Sequence, residues 1–120
     1  MTDKKKIGNK GEELAAELLT KKNYKIIDKN YRFGKGEIDI ICEDTESKNL
    51  VFVEVKSRTN LNFGDPIFAL TKRKMAQLRK IADSYLYEKK LDDIDCRFDV
   101  ITILYKLKEK PEIKHYKNAF

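Results

Sequence analysis

The chain has 120 residues, which suits a single domain with one hydrophobic core, and we take residues 1–120 as that domain. A hydrophobic fraction of 41% argues against a disordered chain, and no segment approaches the roughly 20 apolar residues of a membrane span. The net charge of +6 permits binding to nucleic-acid phosphates without requiring it. No apolar signal-peptide core follows the basic N-terminus, so we expect a cytoplasmic protein without membrane contact.

Hydrophobic periodicity divides the chain into alternating helical and extended segments. The strand predicted over 97–105 is long and apolar, which is typical of the centre of a sheet. Two helices and five strands indicate an α/β domain. In chain order, the predicted elements are a helix over 6–22, strands over 24–31, 37–41 and 50–56, a helix over 71–89, and strands over 97–105 and 112–116.

We expect structural rather than catalytic roles for four residues, namely the two cysteines, the single histidine and the C-terminal phenylalanine. Cys42 and Cys96 both fall in predicted strands without the spacing of a zinc site, so we expect buried free thiols. His115 lies in a predicted edge strand and is assigned no catalytic role. Phe120 is expected to dock on the sheet.

The second and third predicted strands alternate charged and apolar residues, and the polar segment 44–49 between them predicts a hairpin. With the turn at the centre of that segment, Asp39 faces Glu54 and Glu37 faces Lys56 on one side of the hairpin. Opposed side chains in an antiparallel pair lie close enough for two carboxylates to repel each other. A hard divalent cation such as Mg²⁺ relieves that repulsion. The pattern therefore predicts half of a metal site with an ammonium group beside it.

Each of these residues also has a purely structural interpretation, which the pattern alone leaves open. Asp39 and Glu54 would then form an exposed carboxylate pair on a solvated face of the sheet. Lys56 would form a salt bridge with Glu37, which is otherwise interpreted as an acid outside the metal's own ligands. Glu12 would only border the packing surface of the first helix.

The first helix distinguishes two adjacent glutamates. At about 100° per residue, the centre of the apolar stripe of this helix falls near Gly11, so Glu12 lies at the border of the stripe. Glu13 points to the opposite, solvated side. Glu12 is therefore the glutamate that we expect to share a surface with the sheet.

An aspartate, a spacer and the sequence Glu-x-Lys form the signature of PD-(D/E)XK nucleases, and Asp39, Glu54 and Lys56 stand at its three defining positions. Along most of its length the chain resembles the YraN-like bacterial family, a branch of that superfamily. One departure is Ile38, which stands where the signature usually has a proline. The residues that carry the resemblance are Gly8, Gly11 and Glu12, Ala15, Leu18 and Leu19, Gly36–Asp39, Val51–Arg58, Phe63 and Gly64, Pro66, Arg97–Ile101, and Asn118–Phe120.

The resemblance implies a restriction endonuclease-like α/β fold, with a mixed sheet of about five strands flanked by helices. It also implies metal-dependent hydrolysis of phosphodiester bonds in DNA, with branched and repair DNA as possible substrates. Asp39, Glu54 and Glu12 would bind Mg²⁺ or Mn²⁺, and Lys56 would position the nucleophile or offset charge on the phosphate. Glu12 is similar to the N-terminal glutamate of archaeal Holliday-junction resolvases, and analogy with those resolvases suggests a homodimer.

Four basic residues outside the signature are candidates for contacts with DNA phosphates. Arg58 lies in the segment that follows the third strand, where binding residues are common. Lys74 lies at the border of the apolar stripe of the second helix, where related nucleases carry a basic or glutamine side chain that supports the site. Lys72 and Arg73 lie farther round the helix and are expected to make diffuse contacts with the DNA backbone.

Two other functions are compatible with the same sequence. A nucleic-acid-binding accessory module would keep the fold but would not cut, and a protein-interaction domain would carry its basic charge incidentally. Salt-dependent affinity for DNA separates the interaction domain from the other two functions. Metal-dependent cleavage separates the nuclease from the accessory module.

Overall fold

A mixed sheet organises the part of the chain that the structure, a computed structural model, describes: residues 4–59 and 64–120, with side chains from residue 10 onward. Within these residues the five strands lie in the order β1-β2-β3-β4-β5, with β3 and β4 parallel and the other neighbours antiparallel. The predicted α/β fold is confirmed. Its elements are α1 (Lys4–Lys21), β1 (Tyr24–Phe33), β2 (Gly36–Asp44), β3 (Leu50–Arg58), a 3₁₀ helix (Pro66–Ala69), α2 (Lys72–Glu88), β4 (Cys96–Leu104) and β5 (Glu112–Tyr116).

The strand predicted over 97–105 is an interior strand, as expected, although it is not the middle one. The middle strand of the sheet is β3, and β4 lies next to it, between β3 and the short β5. The apolar sequence of β4 arises because its second half, from Val100 to Leu104, is buried. Any interior strand that is buried on both faces has a run of apolar residues, so this run does not identify the middle strand of the sheet.

The two helices cover opposite faces of the sheet, each over its own apolar core. On the α1 side, Ala15 and Leu19 pack with strand residues such as Val53. On the α2 side, Leu78 and Ile81 pack with a second set of strand residues that includes Phe52. Because Val53 and Phe52 are adjacent on β3, their separation follows the alternation of side chains along a strand.

Gly11 lies where α1 comes closest to the end of β3. A methyl group at this position would overlap the hydroxyl of Ser57. The absence of a side chain lets the helix lie directly on the strand, which brings the first half of α1 to the end of the sheet where β3 finishes. Glu12 follows Gly11 and is half-buried, whereas Glu13 is exposed, as the sequence predicted.

The two cysteines differ in their surroundings. Cys42 is fully buried in β2, and burial raises the pKa of its thiol to about 12. Cys96 is exposed, so the prediction of a buried thiol there was wrong. Its position explains the difference, because Cys96 is the first residue of β4 and precedes the buried part of that strand. Phe120 docks as predicted, with its ring centroid 4.9 Å from that of Phe98 on β4.

A buried ionic network, which the sequence analysis did not predict, joins four strands. Asp99, with no solvent exposure, accepts hydrogen bonds from the Arg97 guanidinium at 2.8 and 2.9 Å and lies 2.7 Å from His115 Nε2. Arg97 also binds Asp44 at 3.0 Å and the Tyr24 hydroxyl at 2.7 Å. Although burial opposes ionisation, the hydrogen bonds from His115 and Arg97 hold the pKa of Asp99 below its ordinary value. These contacts give His115 the structural role expected of it.

Two further predictions concern membranes and the segment after β3. None of the helices in the described part of the chain has the length and apolarity that a membrane crossing requires. In the segment after β3, Phe63, one of the residues that carry the family resemblance, lies outside the described residues.

Candidate metal centre

Three carboxylates from α1 and β2 converge at one end of the sheet. Glu12, Glu37 and Asp39, here called the acidic cluster, each offer one oxygen, and these oxygens lie within 4.8 Å of one another. Glu12 and Asp39 were predicted as ligands, whereas Glu37 was not. The sequence carried a signal for Glu37, because residues two apart on a strand point to the same side.

A fork between β2 and β3 places Asp39 where it can reach both strands. The predicted hairpin register is confirmed, with Ile41 opposite Phe52, but the paired residues end at Ile40 and Val53. Beyond that pair, the Val55 N–H donates a hydrogen bond to the Asp39 carboxylate at 2.8 Å. Where the two strands separate, the Asp39 carboxylate therefore accepts the hydrogen bond that a backbone carbonyl of β2 would accept in a regular sheet.

The direction of the β2 side chains changes at the same point. Ile38 belongs to the core under α2, whereas Ile40 belongs to the core under α1. Residues two apart on a regular strand would share a face. This irregularity lets Asp39 join Glu12 of α1 while it remains beside Glu54 of β3.

The electrostatic environment of Asp39 is unfavourable for a bare carboxylate. Burial, together with a hydrogen bond to the Glu54 carboxyl and the charges of Glu54 and Glu12, raises the pKa of Asp39 to about 9. In the absence of a cation, this shift favours the protonated form of Asp39. A divalent cation bound at the cluster would favour the ionised form and displace this proton.

Glu54 has a buried oxygen that lacks a donor. The side chain is 6% exposed, and its Oε2 has no hydrogen-bond partner among the described residues. The closest cationic group is the Lys74 ammonium of α2, at 3.7 Å. A buried acceptor without a hydrogen-bond donor is costly, and the Lys74 ammonium at this distance offsets the charge of Glu54 without donating a hydrogen bond. The contact places Lys74 against the site, as its border position on α2 suggested.

Asn30 of β1 holds two members of the acidic cluster. Its side-chain amide nitrogen donates to Glu12 Oε1 at 2.7 Å and to Glu37 Oε1 at 2.6 Å. The backbone of Asn30 has φ of 54°, a left-handed conformation inside a strand. Asparagine tolerates this conformation better than most residues, and strained backbone often lies at functional sites. The sequence analysis did not select Asn30, since one asparagine in a strand pattern identifies no partner.

We expect the Asn30 amide to raise affinity for a divalent cation by fixing the two glutamates. Substitution Asn30→Gly removes the amide but tolerates the left-handed backbone, and it should weaken Mn²⁺ binding by about 10- to 100-fold, as loss of a ligand-orienting group usually does. Isothermal titration calorimetry measures the affinity. The matched control is Asn23→Gly, because Asn23 also has positive φ, at 67°, and lies outside the cluster. Equal losses in both variants would contradict a role for the amide.

The other predicted residues lie around the same end of the sheet. Lys56 is half-buried on β3, two residues beyond Glu54. The salt bridge considered between Lys56 and Glu37 is not seen, since Glu37 pairs with Arg32 at 3.3 Å. Arg58 is half-buried in the last position of β3.

The first turn of α2 has no acidic residue and begins with Lys72, Arg73 and Lys74, of which the first two are exposed. Thr71 caps this helix by accepting a hydrogen bond from the Lys74 N–H at 3.1 Å. Basic side chains at a helix N-terminus add to the positive end of the helix dipole, an arrangement that favours an anion. Contacts of Lys72, Arg73, Lys74 and Arg58 with DNA remain predictions.

A five-stranded mixed sheet between two helices, with carboxylates where neighbouring strands fork, is the arrangement expected of the restriction endonuclease-like superfamily. The chain belongs to a family within that superfamily, the uncharacterised protein family UPF0102, whose sequence model matches residues 11–103. The resemblance seen in the sequence is thereby confirmed.

Bacterial relatives named UPF0102 protein are similar over nearly the whole chain. The protein from Geotalea daltonii is 45% identical over 118 residues, covering 98% of this chain and 91% of the relative. That from Geobacter sulfurreducens is 44% identical, covering 95% and 88%. That from Syntrophomonas wolfei is 43% identical, covering 97% and 98%. The names of these relatives do not state an activity. Membership therefore establishes the family of this chain and not a reaction that it catalyses.

Proposed function

We propose that this protein is a metal-dependent nuclease that hydrolyses phosphodiester bonds in DNA. The observation that carries the proposal is the buried Oε2 of Glu54, which accepts no hydrogen bond from the described residues and has the Lys74 ammonium at 3.7 Å. A bound divalent cation would stabilise such a buried acceptor, and it would favour the ionised form of the adjacent Asp39, whose pKa burial and Glu54 raise. Perturbed titratable groups of this kind concentrate at functional sites.

The donor set fits Mg²⁺ or Mn²⁺. Glu12, Glu37 and Asp39 would hold the ion, with Glu54 at the adjacent position, and all four offer the carboxylate oxygens that these hard cations prefer. Such an ion supplies a bound water of lowered pKa and polarises the scissile phosphate. The set lacks thiolate and imidazole ligands, so it does not favour zinc.

The lysines near the carboxylates would act on the reacting phosphate. Lys56 is two residues from Glu54 on β3, and its ammonium would offset negative charge that develops on the phosphate. Lys74, at 3.7 Å from Glu54, neutralises that carboxylate before a cation binds. Lys74 therefore supports the site, in addition to any contact that it makes with DNA.

The positive groups around this end of the sheet would hold the DNA backbone. Arg58 ends β3, and Lys72 and Arg73 project from the first turn of α2, where the helix dipole also favours phosphate. The net charge of +6 supports this binding over the whole molecule. Branched DNA and repair intermediates are the proposed substrates.

A second candidate is a binding module that does not cleave. The observation in its favour is the Lys74 ammonium at 3.7 Å from Glu54, which offsets the charge of the buried carboxylates without a cation. The raised pKa of Asp39 acts in the same direction. Such a protein would keep the fold and the basic surface and would bind DNA equally well with and without metal.

Adjacent glutamates on α1 provide a matched test of the nuclease. Wild type and Glu13→Gln are expected to cut members of a panel of linear and branched DNAs in Mg²⁺ or Mn²⁺, because Glu13 is exposed and outside the cluster. Glu12→Gln should cut at least about tenfold more slowly, since metal sites lose this much when a supporting carboxylate is removed. Gel assays measure the rates. Binding without cleavage by wild type would favour the second candidate, and equal rates for both variants would exclude Glu12 from the site.

A further inference from the structure

Two exposed phenylalanines flank the end of the sheet that carries the acidic cluster. Phe33 is 50% exposed at the end of β1, and Phe68 is 79% exposed in the 3₁₀ helix. Phe33 forms the tip of the β1–β2 hairpin, and the 3₁₀ helix contacts β3 and β4 and leads into α2. Because β2 begins where β3 ends, the hairpin tip and the end of β3 lie at the same edge of the fold.

The fold provides no cover for Phe33 from across the hairpin. Its partner on β2 is Gly36, where a methyl group would overlap Ile81 of α2. Glycine has no side chain, so the residue opposite Phe33 does not cover its ring. An exposed aromatic ring of this size contributes little to the stability of the fold, and it is accessible to a ligand.

Both phenylalanines have positive charge close by in the sequence. Phe33 is followed within the turn by the exposed Lys35 and preceded by Arg32, whose side chain is 80% exposed and pairs with Glu37 at 3.3 Å. Phe68 is followed at the start of α2 by the exposed Lys72 and Arg73. An aromatic face beside a cation matches a nucleotide, which presents a flat base and an anionic phosphate. An uncharged apolar partner would gain nothing from these cations.

We propose that Phe33 and Phe68 stack on unpaired bases of a DNA strand, so that the substrate class is DNA with a single-stranded segment at the site. Bases inside a duplex present only their edges, whereas unpaired bases expose the faces that stacking needs. Phe33 lies opposite Gly36, which faces α2, so its ring is on the face of the sheet that α2 covers. Glu54 contacts Lys74 of α2 on this same face. That the stacked strand is also the strand that is cut rests on the proposed function.

The chain contains no tryptophan, so one introduced indole reports on its own surroundings. Phe33→Trp and Phe68→Trp are prepared beside a control, Tyr87→Trp, in the second half of α2, where the tyrosine is 88% exposed. Each is titrated in EDTA, which prevents cleavage, with a single-stranded oligonucleotide and with a fully paired duplex of the same length. The single strand should quench fluorescence of the first two variants more strongly than the duplex does, and neither DNA should quench the control.

Alanine variants give the corresponding affinities. Phe33→Ala and Phe68→Ala should each weaken binding of the single strand about 5- to 100-fold, the usual effect of losing one stacked base, while affinity for the duplex changes little. Fluorescence anisotropy of labelled DNA measures both. Equal losses for single strand and duplex, or binding without quenching, would overturn the proposal.

The outcomes also separate this proposal from the nuclease itself. Quenching by single strands in a protein that never cuts would support base stacking and remove the nuclease. Cleavage of DNA by a protein whose indoles are not quenched would support the nuclease and remove base stacking. Absence of any DNA binding would remove both.

Discussion

Substitution Lys56→Ala is expected to lower the rate of DNA cleavage by a factor of about 10²–10³, the usual loss when one electrostatic stabiliser is removed from an active site. The affinity for Mn²⁺ should remain nearly unchanged, because an ammonium group does not ligate the ion. DNA binding should fall only modestly, since one phosphate contact is a small part of a basic surface. Gel assays of cleavage and anisotropy of DNA binding, at one fixed salt concentration, separate the two effects.

A lysine outside the site provides the control for charge alone. Lys110 is exposed in the segment between β4 and β5, and Lys110→Ala removes the same charge. It should leave the cleavage rate within about twofold of wild type if general attraction to DNA contributes little. Equal rates for wild type and Lys56→Ala would assign Lys56 a structural role and remove it from the mechanism.

Substitution Asp39→Asn is expected to abolish the stabilisation that Mg²⁺ and Mn²⁺ confer on wild type. A cation that binds only the folded state raises the melting temperature by mass action, and the neutral amide is a poor substitute for a carboxylate ligand. Asparagine can still accept the Val55 N–H and donate to Glu54, so the folded structure should persist. Thermal melts with and without metal measure the effect. Equal metal-induced shifts in both proteins would place the ion elsewhere.

The same variant should also change how stability depends on pH in EDTA. The folded-state pKa of Asp39 is about 9, against an ordinary value of 3.8, so unfolding releases a proton between these pH values. The contribution of Asp39 to stability is therefore complete below pH 3.8 and is lost progressively as the pH rises toward 9. Asp39→Asn removes this dependence, because its amide does not titrate. Urea unfolding at several pH values would contradict the assignment if both proteins lost stability in parallel.

The sequence predicted those features that depend on local alternation and spacing. The hairpin register follows from the polar turn at 44–49 and the period-two pattern of the flanking strands, so the positions of Asp39 and Glu54 along them could be inferred. Helical periodicity likewise separated Glu12 from Glu13. Both inferences need only neighbouring residues.

Contacts between distant elements could not be inferred in this way. Asn30 reaches Glu12 and Glu37 because its backbone adopts positive φ, which no strand pattern indicates. The fork that turns Asp39 toward α1 interrupts the alternation on which the strand prediction rests. The partners of Arg97 come from elements as distant as Tyr24, so the pattern of β4 alone does not identify them.

The position of a bound Mn²⁺ ion tests the proposed metal centre most directly. Anomalous diffraction from crystals of the wild-type protein soaked in Mn²⁺ should show one strong peak among the oxygens of Glu12, Glu37 and Asp39, with Glu54 adjacent. The peak should lie about 2.0–2.2 Å from an Asp39 oxygen, as expected for a small hard cation held by carboxylates. A peak at another surface, or no peak here at saturating Mn²⁺, would contradict the assignment of this cluster as the metal centre.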